Sequence, residues 1–283
     1  MTKVEHFNSP NKSSSASLYA LVQNLFVNRQ LIDQMVRREV VGRYRGSIFG
    51  LAWSFFNPIL MLVIYTFVFS VVFNARWGAG NSDSKTEFAL ILFVGMIVFG
   101  LFSEVINRAP MLIISNVNYV KKVIFPLEIL PVISLGAALF HFLISFLVLA
   151  CALLIINGFI HWTIIFFPLV IAPLIILILG FSWILASLGV YLRDIGQTIG
   201  ILTTVLMFLS PVFYSVSALP ERFQVWMNLN PLTFIIEQAR AVIIFGQEPS
   251  WIGLFIYFIT SILIASLGYF WFQKTRKGFA DVL

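Results

Sequence analysis

The side chains able to do chemistry are few and scattered. Histidines stand at His6 in a polar tail, His141 inside an apolar run and His161 between two such runs, and the single cysteine is Cys151. None has another His, Cys or carboxylate at metal-ligand spacing, so neither a metal nor a catalytic pair is expected. A lone histidine in an apolar run reads as a packed or hydrogen-bonded residue. No Gly-Lys dipeptide occurs, which excludes a phosphate-cradling loop; Gly95 and Gly100 have the glycine spacing, but Leu101 and Phe102 follow them. Glu104, Arg108, Glu128 and Arg193 fall near the ends of apolar runs. Ion-driven carriers place acids or histidines at mid-membrane, so the energy for any transport is expected to come from elsewhere.

What remains is charge set beside apolar sequence. Arg37, Arg38, Arg43 and Arg45 crowd ahead of the first apolar run, and such a cluster is retained on the cytoplasmic side of a membrane. Gly42, Gly46 and Gly50 fall four apart, so on a helix they share a face that another backbone can approach closely. Met1 to Ser17 is polar and no cleavable apolar region follows directly, so the first span is expected to stay in the protein.

The elements that must position these groups are membrane helices. Of 283 residues, 60% are hydrophobic and 11% charged, far below the roughly 25% charged residues of soluble domains. The net charge of +6 comes from residues clustered beside apolar spans, which points to membrane topology and away from nucleic acid. An amphipathic helix at 17–41, bent near Asn28, is suited to the membrane interface or to a partner protein. Six segments reach or approach spanning length: 49–73, 88–106, 129–156, 162–191, 198–213, the shortest, and 251–272. With the N-terminus inside, only Arg76, Lys85, Arg222 and Arg240 of the eighteen Lys and Arg lie outside, and both termini are cytoplasmic. The chain thus divides into a cytoplasmic tail with interface helix (1–48), a six-span domain (49–272) and a cytoplasmic tail (273–283).

Between spans, the 107–127 loop is expected to carry a short amphipathic helix across the membrane face, and Asn157-Gly158 to close a hairpin. Pro211 breaks the fifth span within Ser210-Pro211-Val212-Phe213-Tyr214, so backbone there is expected to face protein or water. Pro220-Glu221 and Asn230-Pro231 read as helix starts in the outer 214–250 region. The second helix, holding Glu237 and Arg240, is too short to span and too apolar for water, hence re-entrant or interfacial. Most aromatics belong to lipid-facing and interfacial positions; Phe55, Phe56, Tyr65, Phe208, Phe213 and Tyr214 are candidates to line a pathway where rings stack on sugars.

Arg43-Tyr44-Arg45-Gly46-Ser47 with Gly50, Trp53 and Pro58, then Tyr191-Leu192-Arg193-Asp194, Ser210 to Tyr214, and Asn230-Pro231-Leu232-Thr233 with Arg240 follow one another in order. Together they resemble the membrane subunits of ABC exporters that move polysaccharides: O-antigen, capsule and teichoic-acid permeases. The resemblance implies a homodimer of six-span subunits resting on a separate ATP-hydrolysing subunit, which holds the ATP and Mg, while this chain carries no cofactor. It implies export of a lipid-linked polysaccharide across a bacterial inner membrane. It further implies coupling to the ATPase through Tyr119, Lys121, Lys122, Arg193 and Asp194, and an outer gate including Pro211, Glu237 and Arg240. A permease for drugs or small lipids would share this topology. A channel or carrier would work without a partner, and a membrane enzyme would need clustered carboxylates or histidines on one membrane face.

Overall fold

Runs of Leu, Ile, Val and Phe without polar interruption make helices here, because only a helix satisfies its own backbone inside hydrocarbon. In the computed structural model, which describes residues 18–72, 85–121, 125–227 and 229–283, every regular element is helical. In chain order they are α1 (Leu18–Val27), α2 (Arg29–Arg43), α3 (Trp53–Tyr65), α4 (Lys85–Arg108), α5 (Val117–Val120) and α6 (Leu130–Asn157). There follow α7 (Phe167–Tyr191), α8 (Ile195–Leu209), α9 (Glu221–Met227), α10 (Pro231–Ile243), α11 (Trp251–Thr275) and α12 (Phe279–Val282).

Among the described residues five helical stretches are long and apolar enough to cross a membrane: those containing α3, α4, α6, α7 and α11. The expected fifth span is shorter than foreseen. Ser210 leaves the helical region with ψ 149° and Pro211 follows, so α8 stops at 15 residues, about 22 Å against a hydrocarbon core of about 30 Å.

At the centre stands α4, whose apolar window is 78% buried, whereas that of α3 is 6% buried and its helix hides only Ser54. Around α4 pack α6, α7, α8 and α10. The hairpin of α6 and α7 turns at Gly158, whose φ of 76° suits glycine and whose N–H bonds Leu154 O at 3.1 Å. The closest pair is α7 with α11: a Cβ on Gly180 would sit 2.8 Å from the Ala265 backbone, and one on Gly268 would overlap the Gly180 carbonyl.

The N-terminal helix is bent at Asn28, whose side chain donates to Asn24 O at 2.8 Å. Beyond the bend α2 lies along α6, with Val36 pressed on Gly136 and Met35 and Val40 buried. The shared glycine face ahead of the first span does not form. Helix α2 ends at Arg43, and Gly46 (φ 86°) and Gly50 (φ 50°) take left-handed turns that re-aim the chain into α3.

Among the described residues of the 107–127 loop, the expected amphipathic helix does not form as one piece. Tight turns at Ala109–Met111 and Ile114–Asn116 and the four-residue α5 replace it, with Ala109, Pro110 and Ile113 buried under the bundle. Pro110 has no N–H to continue α4, and its carbonyl occupies the space a side chain on Gly189 of α7 would need. The C-terminal residues fold back instead of trailing away: Phe279 is fully buried against Phe272, and Arg276 pairs with the buried Glu128 at 2.7 Å.

Candidate functional site

Four groups of side chains could serve a transport cycle, and the first is built around Arg240. Asn230 caps α10, its Oδ1 accepting from Leu232 N at 2.9 Å, with Pro231 in the first turn as the sequence suggests. Its Nδ2 donates to Ser210 Oγ at 2.9 Å, tying α10 to the break after α8. The cap therefore holds two elements. Asn230→Ala should cost about 0.5–2 kcal/mol, read as a lowered melting midpoint in detergent.

So placed, α10 drives Arg240 into the bundle. Its side chain is fully buried; Nε donates to Ile91 O at 3.1 Å, Nη2 to Val212 O at 2.9 Å and Nη1 to Glu237 at 2.8 Å. Gly95 makes the room, since a Cβ there would lie 2.8 Å from Nη2. The carbonyl of Val212 is one that the Pro211 break leaves outside any helix, so the guanidinium satisfies backbone that lipid could not.

A second group is aromatic. Tyr65 lies 6.5 Å from Phe69, Phe69 stacks on Phe213 at 6.0 Å, and Phe213 stacks on Phe208 at 5.8 Å. Tyr214 joins them by donating its hydroxyl to Phe208 O at 2.9 Å. Four of the six expected pathway aromatics thus meet where α3 and α8 end. Phe55 and Phe56 do not; they are exposed at the start of α3, where Phe56 clusters with Phe49 and Trp53.

At the opposite end of the bundle lie the residues expected to meet an ATPase. Arg38 donates to Tyr119 Oη at 3.0 Å, and Tyr119 stacks on Phe125 at 4.3 Å. Lys121 is exposed, Lys122 lies outside the described residues, and Arg193 and Asp194 are exposed in the link from α7 to α8. Arg37 pairs with Asp33 at 2.9 Å, while the Arg45 guanidinium has no hydrogen-bond or ion-pair partner among the described residues.

Sequence reasoning missed the fourth group. His141 lies eleven residues into α6, about 16 Å along it, and is not alone. Its Nδ1 stands 2.9 Å from Arg43 Nη1 and 3.1 Å from Glu104 Oε1, and Arg43 and Glu104 pair directly. One ring nitrogen serves one of these at a time: bare, it accepts from Arg43; protonated, it donates to Glu104. The opposite nitrogen, Nε2, is buried with no partner among the described residues. Burial also pushes the neighbouring Tyr44 hydroxyl above its ordinary range, against the pull of Arg43, so it stays neutral. An ionisable residue inside a span is a functional signal by itself, and His141 carried it. Its partners were hidden because they come from 37 and 98 residues away.

Among the described residues no three His, Cys, Asp or Glu side chains converge to hold a metal. Comparison with known proteins supplies what geometry does not. The model of the ABC-2 type transporter family matches residues 30–244. The chain belongs to that family. As an ABC-2 type transporter it is a membrane component, and the family implies a partner ATPase. Among curated relatives, the chain is 26% identical over 263 residues to the O-antigen export system permease protein RfbA of Myxococcus xanthus, covering 92% of this chain and 98% of the relative. It is 25% identical to the Klebsiella pneumoniae protein of the same name, over 89% and 95% of the two chains. The polysialic acid transport protein KpsM of Escherichia coli is 22% identical over 81% of this chain and 86% of its own.

Proposed function

We propose that this chain is the permease subunit of an ABC exporter that carries a lipid-linked polysaccharide, of the O-antigen class, across a bacterial inner membrane. The observation that carries the reading is the likeness to O-antigen export permeases over 92% of this chain and 98% of the relative. The ATP and Mg belong to the partner subunit. His141, partway along α6, meets Glu104 and Arg43, so the spans do hold an ionisable cluster and the energy source rests on family membership.

In this reading α8 and the segment after Pro211 complete a sixth crossing, and both termini are cytoplasmic. Two copies face each other through α3 and α8, whose large exposed residues include Phe55, Val63, Ile201 and Phe208. The aromatics Tyr65, Phe208, Phe213 and Tyr214 line the outer part of the pathway, and α9 and α10 close it. Tyr119, Lys121, Lys122, Arg193 and Asp194 receive the motion of the ATPase on the basic end.

Deleting the gene in its host should abolish surface polysaccharide and leave lipid-linked polymer inside the cell, with export restored by the intact chain. Surface polymer that persists after deletion contradicts the reading. Phe208→Ala with Tyr214→Ala should lower export several-fold while membrane insertion stays normal. Unchanged export would return these rings to packing.

A further inference from the structure

A cavity of about 570 Å³ lies between α3, α4 and α6, apart from the Arg240 group and meeting the aromatic string only at Tyr65. Its walls change character along its length. At one end stand Arg43, Tyr44, Asn57 and Glu104; along the rest run Met61, Tyr65, Phe93, Ile97 and Phe142. The antiparallel helices agree on this gradient, Ser54 to Tyr65 on α3 running against Glu104 to Phe93 on α4. Each covers about 16 Å.

The polar end is rich in unused donors. Arg43 spends Nη1 on Glu104 and His141, which leaves Nε and Nη2 without partners among the described residues. The Tyr44 hydroxyl and the Asn57 amide likewise make no hydrogen bond among the described residues. The carboxylate of Glu104 is neutralised by Arg43, so its charge does not dominate the end. Donors that share a charge-neutralised end suit a phosphate oxygen, to which a guanidinium binds in a fork. An apolar continuation of this length suits one hydrocarbon chain and gives water or a free sugar few partners.

We propose that the cleft between α3, α4 and α6 holds a phosphate-headed lipid, with the phosphate on Arg43, Tyr44 and Asn57 and one chain running toward Phe93 and Phe142. Two sources share this chemistry: a bilayer phospholipid, and the polyprenyl phosphate end of an exported polymer. The second source rests on the proposed function; the site itself does not.

The test is native mass spectrometry of the delipidated full-length chain, titrated separately with a polyprenyl monophosphate, phosphatidylglycerol and a neutral diacylglycerol. Two variants accompany it. Gly100 lines the cleft and a Cβ there meets nothing within 4 Å, so Gly100→Leu fills the space, and Arg43→Gln removes the cation. Phosphate lipids should bind the wild type at one per chain and each variant about tenfold or more weakly, the scale of losing a charge-assisted hydrogen bond. Preference for the polyprenyl phosphate assigns the carrier as occupant, and preference for phosphatidylglycerol assigns the bilayer; either upholds the site. Binding unchanged in Gly100→Leu, or diacylglycerol bound as tightly as the phosphates, overturns it. If Arg43→Gln fails to fold, the Gly100→Leu comparison decides.

Discussion

Replacing Arg240 by Met is expected to destabilise the chain by about 3–5 kcal/mol, the cost of removing one partner from a buried charged network. The side chain is wholly enclosed and joins three elements: α4 through Ile91 O, the break after α8 through Val212 O, and its own helix through Glu237. Methionine fills the volume and leaves the Val212 carbonyl, which no helix serves, unpaired in the buried interior, while Ile91 O and the part-exposed Glu237 lose their charged partner. Arg240→Lys should rescue little, because one ammonium cannot reproduce a planar fork aimed at three acceptors. The checks are the melting midpoint in mild detergent and disulfide trapping between cysteines placed on α4 and α10. A melting midpoint within a degree of wild type would remove the anchoring role. The same geometry qualifies the expected gate: Arg240 in this state is a rivet, and any opening of α10 must break its bonds to Ile91 and Val212.

The second large effect falls on the α7 and α11 contact. In Gly268→Val the added carbons meet the Gly180 carbonyl, which belongs to a helix backbone and cannot turn aside. The helices must part, at about 1–3 kcal/mol or more for overpacking, and close contact through small residues is what membrane helices use in place of a hydrophobic drive. Gly268→Val should therefore lower the melting midpoint clearly, whereas Gly196→Ala, where a Cβ meets nothing within 4 Å, should leave it unchanged. Equal midpoints for the two variants would mean that α7 and α11 do not pack this closely.

Much of this architecture is legible because its signals are local. The Asn230 cap, the Gly158 turn and the break at Pro211 depend on a few adjacent residues, and each lies where the sequence puts it. The failures have other causes. Glycines at 42, 46 and 50 look like a packing face only if the helix continues, but Gly46, three residues after Arg43, is also a helix-stop residue and takes the left-handed turn that ends it. The 107–127 loop has amphipathic spacing, yet Pro110 and the contact with Gly189 on a distant helix fold it into tight turns. The cluster of Arg43, Glu104 and His141 joins three helices, so sequence shows its members one at a time and reads each as ordinary. Tertiary approach decided the last two, and local glycine turns the first.

The most direct measurement on the central claim is polymer movement in proteoliposomes that hold this chain with the ATP-hydrolysing polypeptide that co-purifies with it in mild detergent. Labelled lipid-linked polysaccharide should become accessible on the far side only when ATP is supplied, and liposomes holding either polypeptide alone should show none. If this chain purifies without such a partner and moves the polymer in the absence of ATP, the exporter account is contradicted and a channel or carrier takes its place.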